Sequence, residues 1–255
     1  MKISELLEYL DSWAPFSGAK EFDNCGLLVG DPEAETKKVM LALDLTAEIL
    51  NEAAKAGAGA VLTHHPLIFR AVKSFTSDSL PWQAAKRGIA VIACHTNLDA
   101  APGGVNDTFI CALGLKKLGV VPDTDGCCAI CACPDEISAP EALAGRVRTA
   151  AGLPFVRLID GGRAVGIAAV CCGGGASFVE AAMAAGADAL ITGDIKYSQA
   201  VDAFRAGFTL IDAGHYETER LVLPVVKDRL SERFPDCRFE IAGACRPFFK
   251  YIGEK

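Results

Sequence analysis

Histidine is scarce in this chain, with 4 residues in 255, and basic residues are outnumbered, with Lys and Arg totalling 25 against 32 Asp and Glu. The net charge is −7 and neither sign forms a run. That balance counts against non-specific binding to nucleic acid or to an anionic membrane, both of which need a basic surface. It leaves room for a local cationic pocket that takes a nucleotide or small phosphorylated ligand. No apolar run reaches the roughly 18 residues expected of a membrane span. Met1-Lys2-Ile3-Ser4-Glu5 opens an amphipathic helix pattern instead of an apolar leader. The expectation is a cytoplasmic protein.

Cysteine is the opposite case, at 11 residues. Without a secretory leader the default is reduced thiols, not a disulfide framework. Most lie inside apolar strand patterns (Cys94, Cys111, Cys171, Cys172), where cysteine behaves as a small hydrophobe. The cluster Cys127-Cys128-x-x-Cys131-x-Cys133 alternates within a strand pattern and so points to both faces. A structural zinc or iron-sulfur site needs ligands gathered by tight turns, so packing is the reading here.

About half of the residues, 51%, are apolar, enough to build a core in one large domain or two closely packed smaller ones. Strand patterns at Lys38–Asp44, Ala60–Leu62, Ile89–Ala93, Arg163–Val170, residues 188–191 and residues 208–211 alternate with helical ones. Thr46 is a good N-cap for the helix that follows it, and Gly57 a good stop. A long helix is expected from about Glu217 to Arg233. Such alternation indicates an α/β fold with largely parallel pairing.

The chain also repeats itself. Ala56-Gly57-Ala58-Gly59-Ala60-Val61-Leu62-Thr63 matches Ala185-Gly186-Ala187-Asp188-Ala189-Leu190-Ile191-Thr192, with 5 of 8 positions identical. Each copy is followed by a helix, a glycine, a strand and a His-x3-carboxylate pattern, His95 to Asp99 and His215 to Glu219. The expectation is two similar α/β domains related by a pseudo-repeat. Residues 1–125 form the first, with the His-His motif, and residues 126–234 the second, with His215 and Glu219. Residues from about 235 to 255 pack back onto the first.

Thr63-His64-His65-Pro66 joins two of the four histidines at a strand end. Adjacent imidazoles are costly to bury without partners, and histidine is the most frequent transition-metal ligand. His215 and Glu219, at i and i+4, share a helix face, a common way to give one ion two ligands. In parallel α/β sheets functional groups collect beyond the carboxyl ends of strands, which is where His64, His65, His95, Asp99, His215 and Glu219 all fall. Two related halves facing each other would bring them into one cleft. His95 is read as a ligand, a group orienting a ligand, or a substrate contact.

This nitrogen and oxygen set suits zinc, manganese, iron or nickel better than magnesium or calcium. Two divalent transition-metal ions sharing Glu219 are the economical arrangement. Two close ions typically activate a water for attack on an ester, phosphoryl or ring carbon. Asp194 corresponds to His65 in the repeat, and its stretch admits two readings, a proton shuttle at Asp194 with Lys196 as an anion contact, or a solvated turn. Gly173-Gly174-Gly175 admits two readings, a phosphate cradle or a tight turn.

With these residues assembled, the chain resembles the GTP cyclohydrolase I type 2 family, also called the Nif-three-like family. The resemblance rests on Asp23-Asn24-x-Gly26-Leu27-x-x-Gly30, Thr63-His64-His65-Pro66-Leu67, His95-Thr96-Asn97-x-Asp99, Thr192-Gly193-Asp194 and Asp212-x-Gly214-His215-x-x-x-Glu219. It implies a two-domain α/β protein with a dinuclear metal site whose ligands fall on His64, His65, Asp99, His215 and Glu219. It also implies assembly as a ring-shaped homohexamer. Many members carry a histidine where this chain has Ser198. The resulting expectation is a metal-dependent hydrolase-like protein acting on a small-molecule substrate such as a nucleotide, with Glu219, Asp194 and His95 as catalytic groups. GTP cyclohydrolase is the activity the family name carries. The rival class is a non-catalytic metal-binding or regulatory protein that works through partners.

Overall fold

The computed structural model describes residues 1–250 and Ile252; the expected C-terminal segment runs on over residues 251 and 253–255, which lie outside the described residues. Compactness divides the chain into two units, one from Met1 to His95 together with the chain from Leu223 onward, the other Thr96–Val222.

In the first unit α1 (Ile3–Trp13) precedes strands β1 (Gly26–Val29), β2 (Lys38–Ala42), β3 (Ala60–Thr63) and β4 (Ala90–Ala93), with α2 (Ala47–Lys55) between β2 and β3 and α3 (Leu80–Lys86) between β3 and β4. The sheet order is β1-β4-β3-β2 followed by the C-terminal strand Arg238–Ile241. All neighbours are parallel except β1 with β4. Strands β3 and β4 are buried along their whole length, as expected for parallel strands covered on both faces. Thr46 caps α2, its Oγ1 accepting the Ile49 N–H at 3.2 Å. Ile49, Leu50 and Ala53 on that helix pack against Met40, Val61 and Val91 of the sheet.

The second unit opens with α4 (Thr96–Ala100), α5 (Val105–Leu113) and β5 (Lys116–Val120), then β6 (Ala129–Ala132), α6 (Pro140–Ala151), β7 (Arg157–Ile159) and β8 (Ile167–Val170). It continues through α7 (Val179–Ala184), β9 (Ala189–Thr192), α8 (Tyr197–Arg205), β10 (Thr209–Asp212) and α9 (His215–Glu219), and α10 (Val222–Arg233) follows. The sheet order is β5-β6-β8-β9-β10-β7, with β8, β9 and β10 parallel and the outer strands antiparallel. Phe208, Leu190 and Leu210 centre its core.

Both units are α/β, and the repeat is structural. Gly57 and Gly186 both take positive φ, 67° and 81°, and end their helices. The amides after them reach back identically, Ala58 to Ala53 O at 2.9 Å and Ala187 to Ala182 O at 3.0 Å. This is a Schellman-type stop, which needs glycine because a Cβ crowds the left-handed region. Each copy then enters a central parallel strand.

Three expectations differ from what is observed. The sequence-based domain boundary after residue 125 falls inside the second unit, because β5 pairs with β6 and carries residues 96–125 with it. The single helix over Glu217–Arg233 is two helices, α9 and α10. Pro224 stands at the third position of α10; it lacks an N–H and clashes with the carbonyl four residues back, so the helix has to restart just before it. Asp99, expected just beyond the end of the strand at Ala93, lies within a short helix, α4.

Candidate metal centre

In the first unit the parallel strands end side by side, and their ends carry the imidazoles. His64 and His65 follow β3, and His95 lies two residues past β4. Ring centroids are 5.0 Å apart for His64 and His65, 5.1 Å for His64 and His95, and 5.5 Å for His65 and His95. One nitrogen from each ring lies within 4.8 Å of the others, close enough to hold a metal ion.

What surrounds the rings decides their chemistry. His64 Nδ1 lies 2.8 Å from the Cys94 carbonyl, His65 Nδ1 2.9 Å from Asp44 Oδ1, and His95 Nδ1 2.9 Å from Asp23 Oδ1. Carbonyl and carboxylate oxygens only accept, so each Nδ1 donates its proton. The neutral tautomer then carries its lone pair on Nε2, the form that binds metals. Strand register explains the supports. Ala42 and Ala93 sit opposite Thr63 on either side, so Asp44 and Cys94 flank the histidine pair. Asp23 precedes β1, the antiparallel edge strand whose beginning lies at the same end of the sheet.

The second unit repeats the device with other residues. His215 Nδ1 lies 2.7 Å from Asp194 Oδ2, and its Nε2 lies 3.1 Å from Glu219 Oε1. With the Nδ1 proton given to Asp194, a lone pair and a carboxylate face each other, an arrangement that a cation or a proton between them stabilises. Glu219 is buried, and its Oε2 and Asp99 Oδ1 are both shielded from solvent. Burial pushes the Cys172 thiol well up, and the negative charges of Asp99 and Glu219 add to it, so both carboxylates lie close to that residue.

The glycine-rich turn is part of this site. Gly173 has φ 66°, and a Cβ there would overlap Glu219 Oε1 and crowd His215 Nε2. The Gly173 amide donates to Thr218 Oγ1 at 3.0 Å and the Gly175 amide to Thr192 Oγ1 at 2.8 Å. These two amides are thereby engaged within the turn, whose backbone at Gly173 stands as a wall against the carboxylate. Asp194 is a non-glycine residue at φ 56°, a sparsely populated conformation that tends to mark functional positions. Two contacts hold its turn. The buried Asp212 carboxylate accepts from the Ile195 amide at 3.4 Å and the Gly214 amide at 3.0 Å. Arg157, ion-paired with Asp212, also donates to the Ile195 carbonyl at 3.1 Å.

The structure therefore gathers His64, His65 and His95 within the first unit, and His215, Glu219 and Asp194 in the second with Asp99 near Cys172. Asp194 and His95 are hydrogen-bonded members of these groups. Sequence reading missed Asp23, Asp44, Asp212 and Thr218 as supports. Asp44 was within reach, since it ends the strand pattern beside the histidine strand. Cys94, Cys171 and Cys172 are buried as read, whereas Cys111 is exposed on α5 instead of packed in a strand. Cys127, Cys128 and Cys131 are buried, all are free thiols, and no cysteine belongs to a metal-sized ligand group among the described residues. Imidazole nitrogens with carboxylates form a donor set that fits a divalent transition metal.

Fold and site together define an α/β protein with histidine and carboxylate groups at the carboxyl ends of its strands. Comparison with known proteins gives the family. Residues 1–246 match the sequence profile of Duf34/NIF3 (NGG1p interacting factor 3), and the chain belongs to that family. It is 32% identical to a Clostridium perfringens protein named GTP cyclohydrolase 1 type 2 homolog, over 99% of this chain and 100% of that one. A Lactococcus lactis protein of the same name is 35% identical, over 90% and 91%. Among solved structures, a Staphylococcus aureus hypothetical protein superposes with TM-score 0.89 at 29% identity, covering 99% of both chains. Reduced HcgD from Methanocaldococcus jannaschii does so with TM-score 0.83 at 26% identity, covering 95% of this chain and 98% of that one. No helix among the described residues is long and apolar enough to cross a membrane.

Proposed function

We propose that this protein is a metal-dependent hydrolase that acts on a nucleotide or another small phosphorylated substrate, with His64, His65, Asp99, His215 and Glu219 holding two divalent transition-metal ions. The observation that carries this reading is the common support of the imidazoles. All four histidines give their Nδ1 proton to an oxygen and so keep Nε2 as a lone-pair donor. Histidines that serve only packing have no need of the same tautomer four times. Zinc, manganese, iron and nickel all accept such a set. When bound, the ions supply Lewis acidity and a water activated for attack on an ester, phosphoryl or ring carbon.

The chain's own residues supply the rest. Asp44, Asp23 and Asp194 hold the protons of His65, His95 and His215 and fix the ring orientations. Glu219 is the acidic member opposite His215 Nε2. Asp194, with its side chain 59% exposed, is placed to pass a proton to solvent, which is its proposed catalytic part beside Glu219 and His95. The name shared by the two bacterial relatives, GTP cyclohydrolase 1 type 2 homolog, supports a ring-opening hydrolysis of a purine nucleotide as one form of this chemistry. A cytoplasmic homohexamer is the setting the family resemblance suggests, and light scattering on the purified 26.8 kDa chain tests the assembly.

The test is metal content per chain together with turnover. Wild type is expected to hold close to two ions, and His65→Ala clearly fewer. Protein reloaded with manganese or zinc is expected to hydrolyse some member of a panel of nucleotides and phosphoesters. A wild-type content near one sinks the two-metal reading. Inactivity across the whole panel, with Glu219→Gln changing metal content alone, favours the non-catalytic metal-binding class.

A further inference from the structure

Beside the imidazole group of the first unit lies a pair of exposed aromatic rings that the proposed chemistry has not used. Phe22 is 61% exposed and Phe69 44%. Single exposed apolar residues need no explanation. These two are on separate loops, yet their ring centroids are 6.0 Å apart with the planes tilted by 58°. Phe69 also meets the His95 ring edge-on, at 6.1 Å and 77°.

Both loops are tied down at the rings. Asn24 Nδ2 donates to the Ile68 carbonyl at 2.6 Å, joining the chain just after Phe22 to the chain just before Phe69. Asp23 Oδ1 receives His95 Nδ1 at 2.9 Å and the Asn24 amide at 2.8 Å. Phe22 is thus one residue from the carboxylate that fixes His95, and Phe69 follows His65 by four residues. The rings are held next to His95 and its carboxylate partner, and both remain exposed.

We infer that Phe22 and Phe69 form a stacking shelf for a planar heteroaromatic ring, the size and shape of a nucleobase, on the ligand whose reacting atoms lie at His95. Aromatic side chains prefer offset or tilted partners at centroid separations of about 4.5–7 Å, and a flat ring completes such a set. Ligand sites combine apolar and aromatic walls with few polar groups, here the Asp23–His95 pair. The inference rests on the hydrolase reading for what happens next to the shelf, but ring binding itself needs no metal.

Ring binding is measured by proton NMR titration of guanosine, adenosine and ribose 5-phosphate into the full chain, first stripped of metal and then zinc-loaded, with metal content read on the same samples. The expected result is an upfield shift of the base protons in wild type, and affinity about ten-fold or more weaker in Phe22→Ala and in Phe69→Ala. Phe22→Trp keeps the affinity and Phe22→Leu loses it like alanine, because a flat face is needed and not apolar area alone. Ribose 5-phosphate responds to none of these changes. The shelf is overturned if wild type shows no base-proton shift, or if Phe22→Leu binds as well as wild type. It is equally overturned if the alanine variants change the oligomeric state while base affinity stays the same, which would make the rings part of an interface between copies. Close to two ions per chain without ring binding rejects the shelf and spares the hydrolase reading; ring binding in a chain that takes up no metal does the reverse.

Discussion

The two units use one scaffold for two kinds of donor. In each, a helix ends on a positive-φ glycine, a central parallel strand follows, and the next strand carries a histidine just beyond its end. In the first unit the central strand ends in two imidazoles, His64 and His65. In the second the matching positions are Gly193 and Asp194, and the acidic partners outnumber the single histidine. The antiparallel edge strands differ in the same way. The chain before β1 supplies Asp23 to orient His95, whereas the start of β7 supplies Arg157 to hold Asp212. The backbone repeat decides where side chains emerge, and the residue at each strand end decides whether that place donates nitrogen or oxygen.

The largest expected effect concerns cysteine, which the second unit uses as apolar filler. Burial pushes the Cys131 thiol up to about 12, helped by Cys133, and the Cys133 thiol up to about 11, helped by Asp188. At pH 8 their thiolate populations should be lower than an ordinary thiol's by a factor on the order of a hundred or more, since only the thiolate reacts. Iodoacetamide labelling read by mass spectrometry is expected to modify exposed Cys111 and to spare both. Linkage follows with a definite sign. The unfolded chain loses these protons near the ordinary value of 9.0 while the folded chain keeps them, so this stability is intact below that value and lost as pH rises toward 11–12. A flat stability profile above pH 9 would contradict the burial.

Next in size is a matched pair of glycines. Gly57 and Gly173 have φ of 67° and 66°, but a Cβ at Gly57 meets nothing within 4 Å while one at Gly173 overlaps Glu219. Gly57→Ala is expected to cost about 1–2 kcal/mol of stability from backbone strain alone. Gly173→Ala should cost roughly 3 kcal/mol or more and reduce metal content as well. Urea melts of the two variants check this. Equal costs would mean that Glu219 moves aside freely and that the wall against it is not part of the site.

Asp44→Asn and Asp194→Asn remove the charge behind His65 and His215 in the two units, and asparagine tolerates the left-handed backbone at 194. Each is expected to weaken metal affinity 10- to 100-fold, measured by competition with a chelator of known affinity. A loss with Asp44→Asn alone would break the comparison, leaving the imidazole group as the one metal-binding half.

Smallest is the difference in helix starts. Thr46→Ala should cost about 1 kcal/mol by removing a real cap from α2. In α8 of the second unit the N-cap position holds Lys196, whose amide is bonded to Gln199 but whose side chain caps nothing. Lys196→Thr is expected to stabilise the protein by about 0.5–1 kcal/mol. Weaker phosphate binding in that variant would identify Lys196 as the anion contact, kept at a cost in stability.

The fold was largely legible because apolar periodicity is a local property. Lys38–Asp44, Ala60–Leu62 and Ile89–Ala93 read as strands because parallel strands covered on both faces are continuously apolar. Strand β5, Lys116–Val120, escaped because it is an exposed edge with two lysines and a glycine. The break between α9 and α10 escaped because helical spacing runs through it, and Pro224 is tolerated in a first turn. The matching His-x3-carboxylate tails carried a subtler error. Ala93 sits opposite Thr63, but Asp212 sits opposite Thr192, so His95 is two residues past its register position and His215 three. The likeness of the tails is one of residue type, offset by one place along the backbone.

By itself, then, the sequence determined the α/β class, the repeat and the strands after which His64, His65, His95 and His215 stand. Those follow from spacing along the chain and from the cost of burying polar groups. Only the tertiary structure decided which nitrogen of each histidine is left to a ligand. That depends on Asp23, Asp44, Asp194 and the Cys94 carbonyl, which come from neighbouring strands and turns tens of residues away. The same holds for Gly173 and the Phe22–Phe69 pair: no local pattern marks a glycine that yields room to a distant carboxylate, or two rings that meet across separate loops.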